Sequence, residues 1–216
     1  DVFAFNSNQT DFNIRMPYGN ATATLRWNHL FNDKLFMNTS LIYNDYDFSF
    51  SGGQDLFKFK LFSGVRDWNT KVDFDYYPNY HHSIRFGVNA IHHRFVPNVV
   101  QGSSGDVEFG SDFTDKYGLE SAAYVQDDIK LSASLNMQIG LRYSRFTQIG
   151  PYTSKQTDTK YGSWDPVIHY DGWEPRIALR WQMAGNTSLK AAVTFTNQYI
   201  HLVSNSASTL PTDVWV

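Results

Sequence analysis

Residues 135–149 read LNMQIGLRYSRFTQI, and within them Met137, Ile139, Leu141 and Tyr143 alternate with Gln138, Gly140, Arg142 and Ser144. Successive side chains of an extended strand point to opposite faces, so this stretch builds a strand with one greasy and one polar face. Strands of globular proteins typically hold about 5–6 residues, whereas a tilted strand crossing a bilayer needs about 9–11. The stretch 135–149 fits the second length.

The same pattern extends outward. In 187–203, Leu189, Ala191, Val193 and Phe195 oppose Lys190, Ala192, Thr194 and Thr196, and in 172–183, Ile177, Leu179 and Trp181 oppose Ala178, Arg180 and Gln182. Further strands are expected at 20–31, 35–50, 55–77, 80–96 and 117–131, and no long stretch carries the helical i, i+3, i+4, i+7 spacing. In 55–77 the apolar phase changes between Phe57, Phe59 and Leu61 and Val72, Phe74 and Tyr76, which predicts a bulge near Asp67 and Trp68. The fold class is therefore all-β. Alternation alone describes a soluble antiparallel sheet with one wet face equally well.

The connections separate these readings. Asn32-Asp33-Lys34, Pro78-Asn79, Ser132-Ala133-Ser134 and Ala184-Gly185-Asn186 are short turns of turn-forming residues. Between them lie long segments rich in Gly, Ser, Asp and Pro at 97–116, 150–171 and from 204 onward, with the shorter Ser51-Gly52-Gly53-Gln54 as an exception. Short turns on one rim and long loops on the other characterise an antiparallel up-and-down transmembrane β-barrel of the outer membrane. Aromatics near the strand ends, among them Trp27, Phe31, Phe36, Tyr76, Tyr77 and Trp181, match the girdles of such a wall.

Composition agrees. Of 216 residues 18% are charged and 17% aromatic, and the mean hydropathy of -0.42 comes without an apolar run long enough for a membrane helix. A net charge of -3 offers no basic field for nucleic acid. The absence of cysteine removes disulfide and thiolate-metal frameworks.

Candidate chemistry is sparse. The pairs His81-His82 and His92-His93 point to opposite faces and cannot chelate one ion without distortion, so no metal is expected. Asp45 and Asp47 share a face and read as a solvated rim. No phosphate cradle, nucleophile elbow or triad spacing is present, and neither an enzymatic role nor a cofactor is expected. Arg26, Arg85, Arg142, Arg180 and Lys190 fall on the face opposite the greasy one. A charge pointed into lipid at mid-depth costs about 2–4 kcal/mol, so these five are the candidate luminal wall, facing a plug or substrate. Closed into a narrow eight-stranded barrel, Arg26, Arg142, Arg180 and Lys190 would crowd one interior with few carboxylates to match them.

The segment AYVQDDIKLSASLNMQIGLRYSRF at 123–146 resembles a barrel hairpin of TonB-dependent receptors, in which Tyr-x-Gln-Asp, a turn and Gly-Leu-Arg-Tyr recur. WEPRIALRW at 173–181 with SLKAAVTF and YIHLVSNS is similar to the next hairpin, and RWNHLFNDKLFMNTSLIYNDYDF at 26–48 resembles Bacteroidetes-type receptors. The resemblance implies a barrel of the roughly 22-stranded type around a plug, importing a siderophore, cobalamin, glycan or peptide with energy from TonB. Partners implied are outer-membrane lipid, the rest of the barrel, the plug domain, TonB through the parent protein, and a surface lipoprotein. On this reading residues 1–216 are one partial barrel domain of about eight strands, a fragment preceded by Asp1 to Phe5 as the tail of another strand. The chain ends at Asp213-Val214-Trp215-Val216 within an extracellular loop, without the plug or closing strand. The alternatives are a passive porin or structural barrel, and a secreted carbohydrate-binding β-sandwich.

Overall fold

The computed structural model describes residues 2–7, 12–54, 57–104, 107–110, 115–154, 157–200, 202–203 and 214–215. Its elements are β1 (Val2–Ser7), β2 (Phe12–Asn32), β3 (Leu35–Gln54), β4 (Phe57–Asn79), β5 (His82–Ser104), β6 (Val107–Gly110), β7 (Lys116–Lys130), β8 (Leu135–Ile149), β9 (Tyr152–Thr153), β10 (Lys160–Tyr161), β11 (Pro166–Ala184), β12 (Thr187–Thr194), β13 (Leu202–Val203) and β14 (Val214–Trp215). No helix occurs among the described residues. The main sheet runs β1-β2-β3-β4-β5-β7-β8-β11-β12, with β6 flanking β5, and every pairing in it is antiparallel. The chain is an all-β, up-and-down wall whose order in space is its order in sequence. Among the described residues β1 and β12 do not pair with each other, so the sheet is open.

The four short turns lie at one end because the strands alternate in direction. Each is held locally: Asn32 Oδ1 accepts from Lys34 N (2.9 Å) and Leu35 N (3.1 Å), and Asn79 Oδ1 accepts from His81 N (2.8 Å). Neighbouring hairpins are tied at this rim by Tyr77 N to Lys34 O, Lys130 N to His81 O and Gln182 N to Ser134 O, each 2.8 Å.

Residues paired across strands share a face, so the registers sort the side chains. One face carries Leu25, Trp27, Leu41, Trp68, Phe86, Val88, Val125, Ile139, Leu141, Trp173, Ile177, Leu179, Trp181, Leu189 and Val193, all exposed. The other buries Ser40, Asn89, His93, Ser144 and Glu174. One face is thus a continuous exposed apolar sheet, more extensive than the apolar patches that soluble monomers expose. On β11 the band runs from Trp173 to Trp181. Eight steps of about 3.3 Å, tilted by about 40°, span roughly 20 Å, close to the apolar belt of an outer-membrane barrel.

Aromatics border the band. Towards the short turns Trp27, His29 and Phe31 touch in series, with centroids 5.8 Å and 4.4 Å apart, and Phe74 stacks on Phe86 at 5.0 Å. Towards the other end Tyr43 meets Trp68 at 4.7 Å and Tyr143 meets Trp173 at 4.9 Å. Beyond them on the same face come the ion pairs Arg66–Asp45 (2.8 Å), Arg94–Asp115 (2.6 Å) and Arg145–Asp171 (3.7 Å).

Several expectations are corrected. The bulge near Asp67 and Trp68 is absent: β3 and β4 pair without a register shift from Gln54–Phe57 to Leu35–Tyr76. Phe59 and Leu61 lie beyond the apolar band on the same face as Asp67 and Asp73, and Phe59 packs on Phe50 at 5.4 Å. The β4–β5 register instead shifts between Phe62 and Gly64, opposite Pro97 and Asn98. The expected loop 97–116 begins as strand, since β5 continues to Ser104 and pairs with β6. The expected loop 150–171 holds the β9–β10 hairpin and the start of β11. The strand expected at 187–203 ends at Thr194. After Phe195 N donates to Pro175 O (3.1 Å) the chain leaves the sheet. Val2–Ser7 forms a strand, as the first residues suggest, and Asp1 lies outside the described residues. So do residues 204–213 and Val216, on which the expected last loop and its end fall, while Val214–Trp215 pairs with Leu202–Val203.

Candidate functional site

The polar face is where the sheet carries chemistry. Arg26 on β2, Arg85 on β5, Arg142 on β8, Arg180 on β11 and Lys190 on β12 all lie on it by register. They are not gathered into one constellation. Arg85 Nε donates to Asp75 Oδ1 at 2.7 Å, and Arg142 Nε lies 3.6 Å from Glu174 Oε2. Arg180 and Lys190 stand directly opposite each other, and Arg26 lies opposite Ser40. None of these last three has an ion partner among the described residues.

Carboxylates also stand on this face. Asp67, Asp73, Asp75, Glu120, Asp128 and Glu174 share this face. Lys71 Nζ reaches Asp73 Oδ2 at 3.0 Å, His93 Nδ1 lies 2.8 Å from Asp67 Oδ1, and Gln138 Nε2 donates to Asp128 Oδ1 at 2.7 Å. Sequence reading also missed Lys71, Lys130 and Arg176. Parity along each strand was the signal for all of them, but matching a cation to its carboxylate needs the cross-strand register, which no single strand encodes.

Two glycines make room on this face. A side chain at Gly87 would strike the Val72 carbonyl and the Tyr124 phenol, which lies across it. Lys71 and Arg142 flank that phenol ring, at 5.8 Å and 6.0 Å from its centroid. At Gly140 a Cβ would meet the Arg176 stem at 2.9 Å.

The best-buried polar cluster joins three segments. Ser144 Oγ donates to Glu174 Oε1 at 2.6 Å, and Tyr199 OH donates to Ser144 O at 3.0 Å and lies 2.8 Å from Ser144 Oγ. Ser144 is 1% exposed and its partners among the described residues are Glu174 and Tyr199, so the cluster anchors the segment after β12 on the wall. His92 and His93 point to opposite faces; His93 binds Asp67, and His92 packs on Trp164 at 5.1 Å. Among the described residues no group of three His, Asp or Glu side chains is placed to hold a metal. Asp45 is taken up by Arg66 and by the Tyr43 hydroxyl at 2.8 Å.

The TonB dependent receptor-like β-barrel family model matches residues 2–211. No curated protein matches the chain. Members of that family are outer-membrane transporters, not enzymes, whose barrel works with a plug and with TonB. With a match over nearly its whole length, and with long antiparallel strands greasy on one side and charged on the other, the chain belongs to the TonB-dependent receptor β-barrel family.

Proposed function

We propose that residues 1–216 are part of the barrel domain of an active importer that takes up a scarce nutrient, of the siderophore, cobalamin, glycan or peptide class, with energy passed from TonB. The observation that carries the reading is the division of one sheet into a continuous exposed apolar face and a face bearing fixed charges on successive strands. On this reading Met137, Ile139, Leu141, Leu179 and Val193 touch lipid. Arg26, Arg85, Arg142, Arg180 and Lys190 line an interior that holds a plug and through which substrate passes. Wall charges cannot by themselves move a solute uphill; they set what the interior accepts, and the energy-coupled plug supplies the gate.

The test uses the whole parent receptor in liposomes loaded with an impermeant polymer and diluted into arabinose. A plugged importer leaves the vesicles unswollen, and swelling at the rate given by an open porin would overturn the proposal. The face assignment is checked separately with single cysteines and a charged, membrane-impermeant maleimide. Positions 142, 180 and 190 should label through water, and exclusive labelling of 139, 179 and 193 would reverse the faces.

A further inference from the structure

The chain leaves the sheet at a place set by its own sequence. Phe195 N donates to Pro175 O at 3.1 Å, but proline has no N–H to return to Phe195 O, so the β11–β12 ladder ends there. Residues 195–200 then run across the wall instead of along it. Gly172 on β11 and Ser144 on β8 are register partners on the polar face. Asn197 lies over Gly172, where a Cβ would come within 2.6 Å of the Asn197 Nδ2. Tyr199 lies over Ser144, its hydroxyl donating to Ser144 O at 3.0 Å, and its ring stacks on Phe146 with centroids 6.3 Å apart. β8, which receives Tyr199, is paired on both sides, by β7 and β11, so this contact lies within the sheet and not at its edge.

The crossing is deep. From Pro166, where β11 begins, to Gly172 the strand covers roughly 20 Å, so the segment passes inside the mouth of the wall and not over its lip. Gly172 adjoins Trp173, which places the crossing level with the aromatic border of the apolar band, on the opposite side of the sheet. A proline that ends the ladder, a glycine that admits the Asn197 amide and a buried serine that receives the tyrosine all serve this path. A connection that merely left the rim would need none of them. A segment held across the interior takes space from it. Residues 195–200 read FTNQYI and carry no charge, so what they impose on a solute is size and hydrogen bonding, not sign.

We infer that residues 195–200 are a constriction strap, which narrows the solute path at the level of Ser144 and is latched there by Tyr199. The inference rests on the importer reading.

The test uses the intact receptor on cells, with thiol reagents added from outside and read on the heat-modifiable gel species, so that only folded receptor counts. The chain has no cysteine of its own to interfere. G172C/N197C should close a disulfide under mild oxidant, because the two side chains would meet. Gln198 and Ser163 are both exposed, the second on the connection after β8. At Q198C a small charged maleimide should react, whereas a polymer-linked maleimide should lose most of the rate that it shows at S163C. Y199F should raise the polymer reagent's rate at Q198C about fivefold, the effect of one hydrogen bond lost from the latched state, and leave S163C unchanged. No disulfide in folded G172C/N197C, equal rates for both reagents at Q198C, or a rate there indifferent to Y199F would overturn the inference. So would a Q198C that reacts with neither reagent, since a strap on the solute path must meet water. The two readings fail differently. Arabinose entry through the wild-type receptor removes the importer reading; a sealed receptor in which Q198C takes the polymer as readily as S163C removes the strap alone.

Discussion

The β3–β5 and β8–β12 parts of the wall share one apolar band yet differ on the other face. In β4 and β5 the charges are paired within the wall, as Arg85–Asp75 at 2.7 Å, Lys71–Asp73 at 3.0 Å and His93–Asp67 at 2.8 Å. In β8–β12 the single contact of this kind, Arg142–Glu174, is 3.6 Å long, and Arg176, Arg180 and Lys190 have no ion partner among the described residues. On the proposed reading the band is uniform because its solvent, lipid, is uniform, while the polar side faces the interior, so its charges follow the local neighbour: self-neutralised in one sector, unpaired among the described residues in the other.

The largest effect is expected where the uniform side is broken. Ile139→Arg should lower the stability of the receptor in lipid by about 2–4 kcal/mol, while Gln138→Arg, one residue away beside Asp128, should change it by less than about 1 kcal/mol. Urea midpoints of the heat-modifiable gel species measure both, and equal losses would erase the distinction between faces. Glu174→Ala should come next, at about 1.5–3 kcal/mol, because it strips the buried Ser144 hydroxyl of a charged acceptor. Protease accessibility of the segment after Thr194 should rise in Tyr199→Phe, which loses the bond to Ser144 O; an unchanged cleavage pattern would show that the cluster anchors nothing. Gly87→Val should cost about 1–3 kcal/mol by driving a side chain into the Val72 carbonyl and the Tyr124 phenol, with the Tyr124→Ala background recovering part of the loss. The smallest change belongs to Arg85→Ala, about 0.2–1 kcal/mol, because its exposed guanidinium makes a screened pair. A larger loss would place Arg85 with Arg180 and end the contrast between sectors.

The strand at 135–149 was legible residue by residue because it barely exceeds the apolar band, and inside the band the two faces of the sheet alternate strictly. Legibility fails where that alternation stops. The start of β2 at Phe12, the end of β5 at Ser104 and the start of β11 at Pro166 all lie beyond it, where Gly, Ser and Pro resemble loop yet the backbone still pairs. The false bulge in β4 has the same origin, since Phe59 and Leu61 change face only relative to a rule that no longer applies. For the candidate site, parity identified five cations on one face. It could not separate Arg85 from Arg180, because the difference is a carboxylate on a neighbouring strand whose register depends on the turns. The Ser144–Glu174–Tyr199 cluster joins residues 55 positions apart and had no local signature at all.

The ordering of the strands bears on how the wall is made. Each long strand pairs with the strands that flank it in sequence, and the β6 and β9–β10 pieces stay within connections without interrupting that succession. Asn32 and Asn79 close their reversals with their own side chains, so a hairpin needs nothing distant to define it. Assembly then proceeds as a queue. The strand last added is the template for the next, short loops are closed before long ones, and at any moment one bare edge is waiting. That edge is the costly part of a growing sheet in hydrocarbon. Along this succession the longest detours between consecutive long strands fall at the connections after β5 and after β8, where the chain passes through extra structure before returning.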